Sequence, residues 1–458
     1  MKILKLSVLL FVVSLFSLFA CNINNQDQNE FNGRRGVNPL NKLTLSNWTY
    51  QMVVEAFDWG PATTQLILNL EGNQVHNDKL STSDFTVSVY HVGFGTMSSH
   101  QERPVIGVFA SDSYGNPVTG YGSFITLKLG VHPQNGNPFT LTLAENGILG
   151  NRWSEPYEHT ITFLGEEFMP KRTGRIIPIV DNFSTDHRFV GSDGVTLQYA
   201  YYQPEAEANR PLIIWLHGLG EGTFHDTAGS DIVLLGTRFT QLAAPEIQEI
   251  MEGAYILLPQ ASTRWLNSDG TGTHKYGLSY YEKTLIELIE TFISENTNVD
   301  SNRIYLGGIS NGGFMSIRLL LTRPDLFAGA IPVCLYFKPE DITDAEIKAI
   351  AHIPIWFVHD INDPTTPYTH SRSLYERLLA TGASNVHFTV TEGIYDTSGL
   401  FFDTNGKPWR YDNHFSWIPV HNNEITDIID GVELTIFEWL AIQTRHPEFH
   451  LHELYLTY

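Results

Sequence analysis

The hydrophobic pattern of this 458-residue chain changes near Asp181, and that change constrains the fold more than any other feature. Before it, apolar and polar residues alternate in short runs, a period of two that is typical of strands with one buried face. After it, short continuous apolar runs alternate with segments of helical periodicity, which indicates a parallel sheet covered by helices. The chain therefore consists of an all-β part followed by an α/β part.

Short alternating strands separated by glycine turns predict a β-sandwich over residues 43–180. The alternation is clearest in residues 85–89, 125–131 and 139–143. Gly-Asn pairs supply turns between such runs, at Gly72, Gly115 and Gly136. No long helical stripe occurs here, and no cysteine pair links two sheets, so we expect an immunoglobulin-like sandwich without the disulfide of an antibody domain.

Residues 181–458 form the predicted α/β part. Its apolar runs, which we expect to be strands of a mostly parallel sheet, are residues 212–216, 254–258, 304–306, 354–358 and 386–390. A helix before the third strand is indicated by apolar residues at helical spacing, namely Leu285, Leu288, Ile289 and Phe292. Residues 424–443 are expected to form a closing helix.

The first 20 residues have the composition of an export signal, with Lys2 and Lys5 ahead of an apolar run that ends at Ala20-Cys21. This segment resembles a bacterial lipoprotein signal, which implies cleavage before Cys21 and lipidation of its thiol. A plain secretory signal and a short membrane anchor are the alternatives, although the run of 15 residues, which three serines interrupt, is short for a membrane span. Residues 21–42 are rich in Asn and Gln, so we expect a flexible tether that holds an exported protein at a membrane.

A candidate nucleophile lies in Gly308-Ile309-Ser310-Asn311-Gly312, which matches the G-x-S-x-G pattern. A predicted strand precedes this match, and apolar residues at helical spacing follow it. A serine at such a strand-to-helix turn is held in a strained backbone conformation, and the flanking glycines let strand and helix approach closely. The alternative is a glycine-rich turn whose serine only caps the helix.

A serine hydroxyl needs a base to become a nucleophile, and the base needs a carboxylate that fixes its tautomer. Asp363 lies in the loop after a predicted strand and is our candidate acid, with Asp360 as its rival. His414 lies before the predicted closing helix and is our candidate base, with His421 as the alternative. The chain order Ser310, Asp363, His414 is that of the α/β-hydrolases.

A glycine-rich loop at residues 217–221 follows an apolar strand and is our candidate oxyanion loop. Its glycines let the backbone turn an N–H group towards a carbonyl oxygen, so we assign the oxyanion hole to the backbone N–H groups of Leu219 and Asn311. We expect His217 and Glu221 to support the loop rather than to take part in the chemistry.

Several of these segments resemble one lineage, the α/β-hydrolase group of predicted peptidases and phospholipase/carboxylesterase-like enzymes. The segments are residues 217–221, 258–265, 303–313 and 357–367. Within that group, residues 57–62 and 414–417 resemble esterases that carry an N-terminal immunoglobulin-like domain. The resemblance implies an α/β-hydrolase domain behind an immunoglobulin-like sandwich, and a serine carboxylesterase acting on short acyl esters with Ser310, Asp363 and His414 as its triad.

Two residues depart from the pattern of that group. Asn311 stands where many relatives have Met, and this change keeps the backbone N–H group of the oxyanion hole. Asp360 stands where a glycine usually follows the histidine of the acid loop, which places a second negative charge near the acid. Trp265 and Trp417 are candidates for the walls of the substrate pocket, because aromatic walls exclude water and hold apolar groups.

Other reactive side chains carry no predicted role. Cys334 follows an apolar strand, so we expect a buried inert thiol. Near the end of the chain, Pro447 interrupts a group of side chains that would otherwise suggest a metal site, and we predict none there. That group consists of His446, Glu448, His450 and His452.

The sequence thus predicts an exported serine carboxylesterase that works through an acyl-enzyme without a cofactor. A serine peptidase on the same triad is one rival, and a surface-binding protein with an inactive hydrolase domain is another. With 28 basic and 50 acidic residues the chain carries a net charge of −22, which argues against a nucleic acid partner. The small ester substrate is what the resemblance implies.

Overall fold

A computed structural model of the protein describes residues 45–92, 98–143, 149–205, 209–222, 229–270 and 277–445. The predicted signal, the tether with Cys21 and the histidine-rich end of the chain lie outside these residues. Among the described residues, no helix is both long enough and apolar enough to cross a membrane.

The N-terminal part is a β-sandwich. Its strands are β1 (Thr49–Phe57), β2 (Gly60–Asn69), β3 (Val75–His76), β4 (Phe85–Val92), β5 (Ser98–Arg103), β6 (Val105–Ser111), β7 (Tyr121–Gly122), β8 (Phe124–Leu129), β9 (Phe139–Leu143), β10 (Leu149–Trp153), β11 (Tyr157–Phe163), β12 (Glu166–Phe168) and β13 (Lys171–Ile176). One sheet has the order β13-β1-β2-β8-β6 and the other β12-β11-β4-β5. Strands β9 and β10 form a separate two-stranded hairpin, and β3 and β7, which are distant in the chain, form another two-stranded sheet.

The predicted alternation holds in this part of the chain. In β4 the side chains of Val87 and Val89 are buried while Thr86 is exposed, so one face of the strand packs into the core. The glycines of the predicted turns have positive φ angles, 87° at Gly72 and 82° at Gly115, which glycine adopts without steric cost. The predicted sandwich is therefore confirmed, with one parallel pair, β1 and β13, among antiparallel ones.

The C-terminal part contains a second, larger sheet. Its strands are β14 (Ser184–Val190), β15 (Thr196–Tyr202), β16 (Arg210–Leu216), β17 (Tyr255–Gln260), β18 (Val299–Ile309), β19 (Gly329–Val333), β20 (Ile355–Asp360) and β21 (Val386–Thr391). Their order is β14-β15-β17-β16-β18-β19-β20-β21. The six strands from β17 to β21 in this order are parallel to one another. At the other edge, β15 runs antiparallel to both of its neighbours, β14 and β17.

Helices connect and cover the strands of this sheet. They are α1 (Asp231–Leu235), α2 (Pro245–Ile250), α3 (Glu282–Glu295), α4 (Asn311–Thr322), α5 (Asp344–Ile350), α6 (Thr369–Ala380), α7 (Trp417–His421) and α8 (Ile436–Ala441). The predicted apolar stripe of α3 is buried, from Leu285 to Phe292. The expected α/β-hydrolase architecture with a mostly parallel sheet is confirmed.

The predicted closing helix over residues 424–443 is wrong for most of its length. The chain forms a hairpin there, β22 (Thr426–Ile429) and β23 (Val432–Thr435), before the short helix α8. Asp430 and Gly431 turn the hairpin with φ angles of 51° and 81°, the left-handed conformation that an Asp-Gly pair favours. Helix α8 begins only after Thr435, which forms a capping box with Glu438.

The sandwich and the α/β part belong to one compact unit. The turn Pro178–Asn182 connects them along the chain, at the boundary predicted near residue 180. Arg238 forms an ion pair with Asp58 of the sandwich, and Asn422 donates a hydrogen bond of 3.2 Å to the same carboxylate. Direct polar contacts therefore join the two parts.

Candidate active site

Ser310 lies in the turn between β18 and α4, as the sequence predicts. Its φ and ψ angles of 52° and −108° are strained for a residue with a side chain. The glycines beside it are required by space, because a methyl group on Gly312 would overlap the carbonyl oxygen of Leu216 on the neighbouring strand. A methyl group on Gly308 would lie 2.5 Å from the Gly312 carbonyl oxygen. The side chain of Ser310 is thus held at the carboxyl end of the sheet.

Asp363 and His414 are brought together by two loops that follow strands of this sheet. His414 Nδ1 donates a hydrogen bond of 2.8 Å to Asp363 Oδ2. The backbone N–H of His414 donates to Asp412 Oδ1 at 2.8 Å, and its ring lies edge-on to Trp417. These contacts orient the imidazole, whose side chain remains 13% exposed.

The Asp363 carboxylate is fully buried and has several donors besides His414. His359 Nε2 donates at 3.2 Å and the Thr366 hydroxyl at 2.9 Å to Oδ2. The backbone N–H groups of Thr365 and Thr366 donate to Oδ1 at 2.7 and 2.9 Å. Burial alone would raise the pKa of Asp363, but the hydrogen bonds from His359 and His414 outweigh it and hold that pKa well below its usual range.

His359 is a site residue that the sequence did not reveal, although it lies in the segment 357–367 that carries the family resemblance. Its Nε2 also contacts the Thr366 carbonyl oxygen at 3.0 Å, so this nitrogen carries the proton. Its Nδ1 then accepts from the Ser371 hydroxyl at 2.8 Å. The tautomer that donates to Asp363 is therefore fixed by two neighbours.

The rival residues lie elsewhere. The Asp360 carboxylate accepts from the Asn362 N–H, the Thr391 hydroxyl and the Gly393 N–H, at 2.8, 2.9 and 2.6 Å. His421 is buried beside the rings of Trp215 and Phe239, and its side-chain nitrogens have no hydrogen-bond partner among the described residues. Burial lowers the pKa of His421 to about 3. Among the described residues, neither side chain forms a hydrogen bond with Ser310, Asp363 or His414.

Ser310 and His414 line the same cavity, which has a volume of about 510 Å³. Within the described part of the chain the Ser310 hydroxyl forms no hydrogen bond with the His414 ring. Such bonds are often long before substrate binds. Leu219 and Asn311, the candidate oxyanion donors, line this cavity too. Asn311 is the first residue of α4, so its N–H has no acceptor within the helix.

His217 supports the candidate oxyanion loop, as expected. Its Nε2 accepts from the Ala261 N–H at 3.0 Å, and its Nδ1 then donates to the Gly218 carbonyl at 2.6 Å. Burial lowers the pKa of His217 to about 4, which keeps the ring neutral at pH 7. The ring therefore links the loop to the end of β17 through these two hydrogen bonds.

Trp417 lines the cavity, but Trp265 does not, contrary to the prediction for its pocket. Trp265 is 0% exposed, and its ring N–H donates to the His217 carbonyl oxygen at 3.1 Å. Its backbone N–H donates to Asn311 Oδ1 at 2.6 Å. Asn311 thus ties this segment to the start of α4.

One wall of the cavity comes from the sandwich, which the sequence analysis did not foresee. The residues of this wall lie in β2 and the turn before it, in the loop before β9 and in the hairpin of β9 and β10, and the remaining walls belong to the α/β part. The sandwich residues at the cavity are Trp59, Pro61, Asn137, Phe139, Leu141, Leu149 and Asn151. Most of these side chains are apolar, so they suit the apolar part of a substrate.

Two further groups were considered as reactive. Cys334 is a buried free thiol, and burial raises its pKa well above the usual range, as expected for an inert cysteine. Among the described residues, no group of three or more His, Cys, Asp or Glu side chains is placed to hold a metal ion. The histidine-rich end of the chain lies outside these residues.

Family models match both parts of the chain. Residues 49–174 match an esterase Ig-like N-terminal domain. Residues 197–398 match the phospholipase/carboxylesterase family, a span that includes Ser310 and Asp363 and ends before His414.

Individual relatives are more distant. Poly(3-hydroxyalkanoate) depolymerase C of Paucimonas lemoignei is 27% identical over 146 residues, 31% of this chain and 32% of its own length. Acyl-protein thioesterase 1 of Cryptococcus neoformans var. neoformans serotype D is 25% identical over 170 residues, 35% of this chain and 70% of its own. The crystal structure of a thermostable esterase superposes with a TM-score of 0.65 and 24% identity, over 87% of this chain and 100% of that one, which shows a shared fold.

Proposed function

We propose that this chain hydrolyses short-chain acyl esters. It combines an esterase Ig-like N-terminal domain with a phospholipase/carboxylesterase domain and is therefore a serine hydrolase. Ser310, His414 and Asp363 act as its catalytic triad. The observation that carries the proposal is the 2.8 Å hydrogen bond from His414 to Asp363, beside a strained Ser310 in the same cavity.

The reaction begins when Ser310 Oγ attacks the ester carbonyl carbon and His414 Nε2 accepts the hydroxyl proton. Asp363 holds the proton of His414 Nδ1 and stabilises the imidazolium ion. The carbonyl oxygen takes up the negative charge and is bound by the backbone N–H groups of Leu219 and Asn311. His414 then returns the proton to the leaving alcohol, so that an acyl-enzyme remains.

Water completes the cycle by the same path. His414 removes a proton from a water molecule, the resulting hydroxide attacks the acyl carbon, and Ser310 leaves with the proton restored. The acid product dissociates. Every proton in this scheme passes through His414, and no step needs a cofactor.

A turnover assay tests the proposal. The purified protein and its Ser310→Ala variant are given chromogenic esters of rising acyl length and the matching anilides, and turnover is recorded. We expect turnover of short esters that the variant loses, and turnover of anilides instead would establish the peptidase. No turnover of either class by the wild-type protein, together with detectable binding to a glycan or protein, would support the surface-binding protein.

Covalent labelling identifies the nucleophile independently. A fluorophosphonate reacts with an activated serine by forming an oxygen–phosphorus bond with loss of fluoride. We expect the labelled peptide to contain Ser310, and His414→Ala to suppress labelling. A label on another residue would contradict the assignment.

We also propose that the protein is exported and held at a membrane by a lipid on Cys21, on the strength of its N-terminal sequence. Mass spectrometry of the N-terminal peptide from the native host or a bacterial expression host tests this. Diacylglyceryl modification at Cys21 and its loss in Cys21→Ser are expected. A mature chain that begins elsewhere and carries no lipid would contradict the proposal.

A further inference from the structure

The hairpin of β9 and β10 approaches the turn that carries the candidate oxyanion donor Leu219. Asn151 in β10 is paired with Leu141 in β9, and both residues line the cavity. A methyl group on Gly220 of the turn would lie 2.8 Å from Asn151 Nδ2. The glycine therefore permits a close approach between two segments that are about 70 residues apart.

Glu221 is the group in this turn that Asn151 reaches. Asn151 Nδ2 donates a hydrogen bond of 3.2 Å to Glu221 Oε1. The Glu221 side chain lies in the cavity wall, and the residue is only 4% exposed. Burial raises the pKa of Glu221 to about 7, against hydrogen bonds from its own backbone, from Asn151 and from the backbone of Gly218. A buried carboxyl group of this kind depends on each donor that it has.

The backbone of the same turn is held from the other side by the α/β part. Gln260 Nε2 donates to the Glu221 carbonyl oxygen at 2.7 Å, and His217 donates to the Gly218 carbonyl oxygen. Leu219 lies between these two fixed points. Of the described residues, Asn151 is the one side chain that donates a hydrogen bond to the Glu221 carboxyl group, and it comes from the sandwich.

We propose that Asn151 of the sandwich is a positioning residue for the oxyanion hole, which fixes the turn at Leu219 by its hydrogen bond to Glu221. The inference rests on the proposed esterase function. Loss of the bond leaves the buried Glu221 carboxyl group without its side-chain donor. The carboxyl group then shifts towards other hydrogen-bond donors, and the turn shifts with it. Because Leu219 adjoins the turn's fixed points, its N–H then misaligns with the developing oxyanion while the rest of the cavity persists.

The test compares four variants of the full-length enzyme with the wild type. Asn151→Ala removes the donor, and Asn151→Asp places a second carboxylate against Glu221. The double variant Asn151→Asp, Glu221→Gln restores the pair with donor and acceptor exchanged. Arg152→Gln is the matched control, because Arg152 is the exposed neighbour on the same strand.

Removing one oxyanion donor costs roughly 10²–10³-fold in kcat, so a misaligned one is expected to cost about 10- to 100-fold. We expect that loss of kcat in Asn151→Ala, with KM within about twofold, and a larger loss in Asn151→Asp. The double variant should recover at least about tenfold over Asn151→Asp. The control should match the wild type.

Three results would overturn the inference. An increase of KM at unchanged kcat in Asn151→Ala would show that Asn151 only contacts the substrate. A double variant whose kcat is no higher than that of Asn151→Asp would exclude the pairing with Glu221. Circular dichroism and thermal melting identify any variant that unfolds, and a folded Asn151→Ala with wild-type kcat also refutes the proposal. Ester turnover that persists in Ser310→Ala would instead refute the esterase mechanism itself.

Discussion

Removal of the His359 imidazole tests whether the acid of the site is held by more than its catalytic partner. From the described part of the chain, the Asp363 carboxylate accepts five hydrogen bonds, from His359, His414, the Thr366 hydroxyl, and the backbone N–H groups of Thr365 and Thr366. A hydrogen bond to a charged group contributes about 1.5–3 kcal/mol. His359→Ala is therefore expected to weaken the fixation of Asp363 by that amount.

The consequence for catalysis follows from the conversion of about 1.4 kcal/mol per tenfold change in rate. If the lost bond orients Asp363 for His414, kcat falls by about 10- to 100-fold while KM changes little. His359→Gln keeps an N–H donor of similar reach and should recover part of the loss. Steady-state kinetics with a short ester measure both.

The consequence for stability has a defined sign. The folded-state pKa of Asp363 lies below its unfolded value of about 3.9, so its ionisation stabilises the fold above that pH and this contribution is lost as pH falls through the folded pKa. Loss of His359 raises the folded pKa of Asp363. Acid unfolding of His359→Ala, followed by fluorescence, should therefore begin at higher pH than in the wild type. Wild-type kcat together with an unchanged acid transition would refute the reasoning.

Three further predictions concern the turn, the cavity and the junction. Gly312→Ala should yield no active, soluble enzyme, because the added methyl group would overlap the Leu216 carbonyl oxygen, and wild-type activity in the soluble fraction would contradict this. Leu141→Phe should lower the ratio of kcat/KM for octanoyl esters to kcat/KM for acetyl esters by about tenfold or more, since one methylene in an apolar pocket is worth about 1–3 kcal/mol. An unchanged ratio would show that Leu141 does not contact the acyl chain. Asp58→Ala leaves the partly buried Arg238 without its acid and should lower the free energy of unfolding by about 1–3 kcal/mol in urea titration, whereas an unchanged midpoint would make the pair dispensable.

The parts of this protein that were predictable from sequence are those with a local signal. The turn at Ser310 combines a glycine pattern with a strand before it and a helix after it, within about 25 residues. The hairpin over residues 426–435 also has a local signal, Asp430-Gly431, although the sequence analysis predicts a helix over residues 424–443. There the turn chemistry determines the structure more strongly than periodicity does.

The walls of the cavity had no such signal. Trp265 and Trp417 both lie close to functional loops in the sequence. Trp265 is nevertheless fully buried, whereas Trp417 lines the cavity. Phe139 and Asn151 line the same cavity as Ser310 only through the tertiary packing of the two parts, because they precede it by about 160 to 170 residues in the chain. No spacing in a single sequence encodes which side of a sandwich will meet a catalytic loop.

The hairpin of β9 and β10 stands outside both main sheets of the sandwich. Its length and side chains can change without disturbing the hydrogen-bond ladders of either core. Insertions or grafts at this hairpin therefore offer a route by which related enzymes could diversify their substrates while the nucleophile, acid and base stay untouched. A library confined to Leu141 and Leu149 would vary this wall of the cavity while Asn151 and its hydrogen bond to Glu221 are kept.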